Sequence, residues 1–537
     1  MLHFDPDYQP YTSKRMPVFG HKGMVATSQT LAAQAGLGIL KKGGNAVDAA
    51  IAAAACLTVV EPTFNGIGGD AFALIWMDGK LHGLNGSGPA PQSISIEALK
   101  KRGFDKMPLF GVEPITVPGA PAAWGECSRR FGRLPLKDVL QPAIGYAEDG
   151  FPVSPVTARF WKISYDKFKK NLDHDLAKPW FDTFTVNGHP PEAGEMWSSP
   201  GHAETLRAIA ETDGEAFYRG ELAKTICDFI EKHHGFLRPE DLADYHPEWV
   251  DPVSVNYRGY DVWEIPPNAQ GIVALMALNI LKGYEFTEKE SIDTYHKQIE
   301  AIKLAFADGK KYIAEQKHMK HTVQSLLSES YAEERRKLIN DKALDPVHGQ
   351  PPKGGTVYLA TADGEGNMVS FIQSNYMRFG SGVVIPGTGI ALQNRGCNFS
   401  LDPRHDNCLA PGKKPYNTII PGFLTKDGTP IGPFGVMGGF MQPQGHLQMI
   451  MNTIDFNLHP QAALDAPRWQ WMEGKTVKIE STFPHHIAQA LAAKGHNIQY
   501  ALEPNTFGKG QIIWRNPETG VLTGGSESRT DGNVAAW

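Results

Sequence analysis

A threonine preceded by two glycines, in the run Gly354-Gly355-Thr356-Val357-Tyr358, is the residue best placed to act as a nucleophile. An apolar run from Val357 to Ala360 follows, then Asp363-Gly364-Glu365-Gly366-Asn367, then a second apolar run from Met368 to Ile372. Two short β-like runs around an Asp-Gly turn predict a hairpin, which would hold a threonine at its head rigidly. Were the Gly355–Thr356 bond to break, Thr356 would carry a free α-amine beside its own hydroxyl. That amine can serve as general base, so one residue supplies both nucleophile and base. Taken alone, the pentapeptide also suits an ordinary hairpin strand that begins with threonine.

The elements around this stretch read as follows. Thr27 to Lys42 predicts a helix, with Ala33, Leu37 and Leu40 on one face and Gly43-Gly44 as its stop. Asn45 is a natural N-cap for a second, alanine-rich helix reaching Val60. Asn65-Gly66-Ile67-Gly68-Gly69-Asp70 leads into the apolar run Ala71 to Trp76. A phosphate-binding glycine loop should open a helix, whereas this one opens a strand, so it reads as a tight turn at an active-site wall. The strand returns through Asp78-Gly79 into Lys80 to Leu84. Residues 95–232 are mostly helical in pattern, and 251–266 read as strands. Gly271 to Leu281 predicts a buried helix and Asp293 to Glu315 a long amphipathic one. Residues 317–355 are charged, then rich in proline and glycine, and predict an exposed linker ahead of the cut. Beyond Thr356, strands are expected at 381–385, 389–393, 421–424 and 433–437, and helices at 444–451 and 485–494.

The 537 residues imply two domains or one large multilayer domain. A net charge of −6 gives no electrostatic reason to expect nucleic acid or an acidic membrane as partner. The longest apolar run, Ala49 to Val60, is too short to span a bilayer. Residues 1–23 lack a basic start followed by an apolar stretch, so no secretory leader is expected. Cys56, Cys127, Cys227, Cys397 and Cys408 are odd in number and form no Cys-x-x-Cys pair. A reduced, cytoplasmic compartment is the expectation.

Several motifs resemble one family. They are Leu31-Ala-Ala-Gln-Ala-Gly-Leu, Gly43-Gly-Asn-Ala-Val-Asp-Ala-Ala, Val60-Glu-Pro, Gly66-Ile-Gly-Gly, Thr116-Val-Pro-Gly, Tyr257-Arg-Gly-Tyr, Ala305-Phe-Ala-Asp and Gly438-Gly439. Together with residues 354–447 they resemble the γ-glutamyltransferases (glutathione hydrolases) among the N-terminal-nucleophile hydrolases. Within these the chain is most similar to the cytoplasmic bacillar glutathione hydrolase-like branch and to oxamate amidohydrolases. The resemblance implies an α+β fold, a four-layer αββα sandwich. It also implies cleavage at Gly355–Thr356 into a large, mostly helical segment (1–355) and a small, strand-rich one (356–537) sharing one intertwined core. A higher oligomer of that heterodimer is left open.

The resemblance carries roles onto particular residues. Thr356 becomes the nucleophile, Ser374 a hydroxyl that orients it, and Gly438 and Gly439 the backbone donors for the oxyanion. Ser87 stands where the family has the arginine for the substrate α-carboxylate, and Asn398 where it has the acidic partner of the α-ammonium. The family's paired serines fall on Asn417 and Thr418, its glutamine on Arg395 and an asparagine on Tyr376. The glutamate-recognising charge pair is therefore missing and one new cation stands near the pocket. A hydroxyl is no substitute for a bidentate guanidinium. The expected substrate is a small carboxylate-bearing amide, γ-glutamyl or related, cleaved through an acyl-threonine intermediate with hydrolysis or acyl transfer to an amine. Oxamate or another short dicarboxylic monoamide is the alternative, and a homologue that folds without cutting is a third. Arg395 also suits a structural ion pair. The segment from Asn398 to Asn417 is too short for the family's substrate lid. No cofactor is expected, and no metal: His233-His234, His405-Asp406 and His485-His486 do not present three ligands by spacing.

Overall fold

The computed structural model describes residues 15–346, 355–502 and 506–537. Two seven-stranded sheets face each other. In spatial order the first comprises Asn533–Ala536, Gly23–Thr27, Gly355–Asp363, Met368–Tyr376, Asp70–Met77, Lys80–Gly86 and Glu248–Val250. The second comprises Val18–Gly20, Leu522–Ser526, Lys509–Arg515, Thr429–Met437, Gly422–Lys426, Tyr260–Glu264 and Val253–Tyr257. Strands from before and after residue 355 thus lie side by side in both sheets. Strand Gly355–Asp363 packs across the interface on Thr429–Met437 and Lys509–Arg515. Helices Thr30–Lys41 and Ala46–Val60 cover the outer face of the first sheet, and helices Gly271–Leu281 and Gln442–Ile454 that of the second. The result is the expected αββα sandwich.

Burial explains the two most apolar helices. Every residue of Ala46–Val60 is buried, because it lies between the first sheet and further helices outside it. Its alanines allow that close approach on all sides, and Asn45 caps it in a reciprocal box with Asp48. Gly271–Leu281 is likewise buried at every position. Each large aliphatic side chain so buried contributes about 1.5–3 kcal/mol.

Some expectations need correction. The first helix starts at Thr30, because Gly23–Thr27 is drawn into the sheet beside Gly355–Asp363 and the Gln29 side chain caps the helix. The expected strands at 381–385 and 389–393 reduce to two isolated bridges, Val384 to Ala391 and Leu392 to Gly68. Gly380, Gly382, Gly387 and Gly389 all take positive φ there, which breaks extended backbone. The stretch read as linker carries helices Val323–Leu326 and Glu329–Arg336, the latter capped by Ser328. Its remainder, 347–354 including Gly354, lies outside the described residues, as does most of the N-terminal stretch read for a leader. Among the described residues no helix is long and apolar enough to cross a membrane.

Candidate active site

Thr356 heads its strand at an irregularity. Gly355 pairs with Tyr376 and Val357 with Gln373, so the ladder shifts across the threonine. The partner strand turns sharply at the same level, since Tyr376 adopts φ of 70°. The Thr356 hydroxyl is buried and donates to Ser374 Oγ at 3.2 Å. Ser374 Oγ in turn accepts from the Tyr376 backbone N–H at 2.7 Å. The residue expected to orient the nucleophile therefore does contact it.

Gly438 and Gly439 follow strand Thr429–Met437 with φ of 138° and 61°. A side chain at 438 would meet Gly508 Cα at 3.1 Å as well as adopt a strained φ, so glycine is required. The turn leads into helix Gln442–Ile454. Gln270 fastens it from outside: its Nε2 donates to the carbonyls of Gly439 (2.9 Å) and Thr418 (2.7 Å), while its Oε1 accepts from the Tyr416 hydroxyl at 3.0 Å. Gln442 Nε2 donates to Thr356 Oγ1 at 3.4 Å, which sets the glycine turn beside the nucleophile.

Beside Ser374 lies a second cluster, centred on Asp70. Asp70 pairs with Ser374 across the sheet. The Gly66–Gly69 turn ahead of it does form a wall: a side chain at Gly68 would strike Ala391 O at 2.5 Å, and one at Gly69 would strike Ser374 O at 2.7 Å. Asp70 Oδ1 accepts from Gln393 Nε2 (2.8 Å) and Gly88 N (3.3 Å), and Oδ2 from Asn417 Nδ2 (3.0 Å) and Arg395 Nε (3.3 Å). Burial pushes the Asp70 carboxyl up from its ordinary range, against the pull of Arg395 and the other donors. A carboxyl surrounded by donors has no acceptor for an acid proton, so this setting fits the carboxylate.

Arg395 is fully buried. Besides Asp70 it donates from Nη1 to Thr418 Oγ1 at 2.7 Å, and its guanidinium lies 4.6 Å from the Tyr376 ring centre. Nη2 is buried without a hydrogen-bond partner among the described residues. The new cation is therefore engaged in a buried structural ion pair with Asp70. Asn417, Thr418, Tyr376 and Arg395 come together in one buried cluster around Asp70.

Ser87 and Asn398 are placed differently. Ser87 is buried and bonded within a polar knot: its Oγ donates to Asn85 Oδ1 at 2.7 Å and accepts from Asn268 Nδ2 at 3.1 Å. Asn398 Nδ2 donates to the Tyr416 carbonyl at 3.2 Å, and its own carbonyl accepts from Asn407. Neither supplies charge. The short segment between Asn398 and Asn417 is folded on itself, with Lys413 Nζ donating to the carbonyls of Asp406 (2.6 Å) and Cys408 (2.9 Å).

Sequence reasoning missed Asp70 and Gln442 as site residues. It also missed the buried group His296, Glu300 and His496, whose ligand-type atoms lie within 4.8 Å of one another. Hydrogen bonds account for that group. Lys303 Nζ lies 2.7 Å from Glu300 Oε1 and 3.4 Å from His496 Nδ1. His496 Nε2 meets His296 Nδ1 at 2.8 Å, and His296 Nε2 meets the Asn340 carbonyl at 2.7 Å. Burial, with Lys303 beside it, pushes His496 down to about 2, so both rings fit a neutral relay.

Comparison with known proteins gives the family. The family described as gamma-glutamyltranspeptidase matches residues 32–537. The glutathione hydrolase-like YwrD proenzyme of Bacillus subtilis (strain 168) is 38% identical, covering 96% of this chain and 98% of its own. The oxamate amidohydrolase proenzyme of Klebsiella pneumoniae is 33% identical, covering 96% and 98%. The crystal structure of a cephalosporin acylase from Bacillus halodurans superposes with a TM-score of 0.97 at 65% identity, over 100% of this chain and 99% of that one. The chain belongs to the γ-glutamyltranspeptidase family and is an amidohydrolase or acyltransferase of the N-terminal-nucleophile fold.

Proposed function

We propose that this protein is a self-processing amidohydrolase whose nucleophile is Thr356. Its substrates are amides of a short, carboxylate-bearing acyl group that lacks an α-ammonium. The observation that carries the reading is the buried Thr356 hydroxyl on Ser374, whose partner across the sheet, Asp70, is ion-paired with Arg395. In maturation, Thr356 Oγ attacks the Gly355 carbonyl carbon, the C–N bond breaks and the nitrogen takes a proton. Water then cleaves the ester, which restores the Thr356 hydroxyl beside the amine already freed and leaves segments 1–355 and 356–537. In turnover that amine, through a water, accepts the Thr356 hydroxyl proton as Oγ attacks the substrate carbonyl. The oxyanion is met by backbone donors at Gly438-Gly439. The amine leaves with a proton, and water or an acceptor amine takes the acyl group from Thr356.

Ser87 and Asn398 supply neither the cation nor the anion that a free α-amino acid end requires, whereas Arg395 Nη2 can meet a carboxylate oxygen. The free state of all five cysteines supports a cytoplasmic setting. A narrower reading, a very short dicarboxylic monoamide such as oxamate, is favoured by a relative of that name.

Glutaryl anilide and γ-glutamyl anilide differ only in the α-ammonium, so their kcat/KM ratio tests the pocket. An ammonium left without its charge partner, at about 2.7 kcal/mol, corresponds to a preference of roughly a hundredfold for the glutaryl compound. Equal or better use of the γ-glutamyl compound would refute the substrate assignment. Oxamate turned over faster than both selects the narrower reading.

A further inference from the structure

Gln442 has no part in the reaction as derived so far, yet it touches the reacting oxygen. It is the first residue of helix Gln442–Ile454, fully buried, three positions beyond Gly439. Its carboxamide is oriented by its other end: Oε1 accepts from the Ile420 backbone N–H at 3.0 Å. The flipped amide would set an NH2 group against that N–H, donor on donor, so Nε2 is the atom that faces Thr356 Oγ1. The helix that carries Gln442 is pinned one turn on, where His446 Nε2 accepts from Val436 N at 3.2 Å and His446 Nδ1 meets Glu264 Oε1 at 2.5 Å.

A hydroxyl has one proton and two lone pairs. The Thr356 proton is directed to Ser374 Oγ, and one lone pair takes the Gln442 N–H. We propose that Gln442 is a catalytic residue whose Nε2–H stabilises Thr356 Oγ whenever that atom carries negative charge. The inference rests on Thr356 being the nucleophile. As the hydroxyl proton passes to the base, charge builds on Oγ and the 3.4 Å contact tightens, until the Oγ–C bond forms and passes that charge to the carbonyl oxygen. The same donor acts again in deacylation, when water adds to the acyl-threonine carbonyl and the Oγ–C bond breaks, expelling Oγ before it regains a proton. Gln442 keeps its own protons throughout. Because Oγ is also the attacking atom in self-cleavage, one donor serves both reactions.

The test compares Gln442→Glu and Gln442→Met with wild type, following the rate of self-cleavage, kcat and KM on glutaryl anilide, and melting temperature. Gln442→Glu keeps the acceptor for Ile420 N but, when ionised, turns an acceptor toward Thr356. Loss of one donor to a charged oxygen predicts a fall of about tenfold to a hundredfold in kcat and in cleavage rate, with KM within about twofold. Activity of the glutamate variant should recover partly as pH falls and its carboxyl regains a donor proton. The methionine variant should be equally slow with no such recovery. A merely structural role would not produce the pH difference between the two. Wild-type cleavage and kcat in either folded variant, or a change confined to KM, overturns the proposal. If Thr356→Ala still self-cleaves, the nucleophile assignment falls and Gln442 with it. If Thr356→Ala is inert while the Gln442 variants cleave normally, only the role of Gln442 is lost.

Discussion

Asp70→Asn is a small change in shape with a large expected effect. Each Asp70 oxygen takes two donors, Gly88 N and Gln393 Nε2 on one, Asn417 Nδ2 and Arg395 Nε on the other. An asparagine offers one oxygen and one NH2, so in either orientation its NH2 confronts two donors. It also leaves the fully buried Arg395 without its counter-charge. Removing one partner of a buried ion pair costs about 3–5 kcal/mol, since the other charge stays desolvated. Arg395→Gln should cost a similar amount from the opposite side. The double variant loses both charges, so its destabilisation should fall short of the sum by about 2 kcal/mol or more. Denaturant midpoints of the wild type, both single variants and the double variant supply the cycle. Additivity within about 0.5 kcal/mol would show that the two charges do not act as a unit, and the buried ion-paired cluster as described would be wrong.

Other expectations follow from titratable groups. Burial pushes the Glu61 carboxyl up to about 7, against Lys509 and a hydrogen bond from Ser28. The folded chain then holds a proton that the unfolded chain releases between the ordinary glutamate range and about 7, so stability should decline as pH rises through that window and level off above it. Melting temperatures at pH 5, 6, 7 and 8 should show this slope, and Glu61→Gln should flatten it; an unchanged slope counts against a buried protonated Glu61. All five cysteines are free, with Cys56, Cys127 and Cys227 buried. Reductant should leave the melting temperature unchanged and thiol titration after denaturation should find every cysteine. A quantitative disulfide in thiol-trapped protein would contradict this and the proposed cytoplasmic setting. Gly438→Ala should slow both self-cleavage and turnover, because its φ of 138° and the contact with Gly508 displace the turn; unaltered rates would remove the turn from the mechanism.

Local chemistry was legible in the sequence where neighbours along the chain decide it. The hairpin after Thr356 forms as its Asp-Gly turn requires, with Asp363 Oδ1 accepting from the N–H groups of Glu365 and Asn367 at 3.0 Å. Asn45 caps its helix, and Gly271–Leu281 is the buried helix its composition implies. What was hidden depends on contacts between distant positions. Asp70 and Arg395 are 325 residues apart, so no local pattern could reveal that the new cation had a built-in partner. Gln442 and Thr356 are 86 apart and meet only because the glycine turn delivers a helix start to the head of another sheet's strand. The expected strands at 381–385 and 389–393 failed because their apolar runs, Val383 to Ile385 and Ile390 to Leu392, are bounded by glycines in left-handed backbone. His296 and His496, 200 residues apart, were likewise invisible as a pair.

The most direct test of the central claim is intact mass and N-terminal sequencing of the purified protein beside Thr356→Ala. The account predicts two polypeptides for the wild type, meeting at Gly355 and Thr356 with threonine as a new N-terminus, and one uncut chain for the variant. Two chains in Thr356→Ala, or an uncut wild type with full amidase activity, would contradict it.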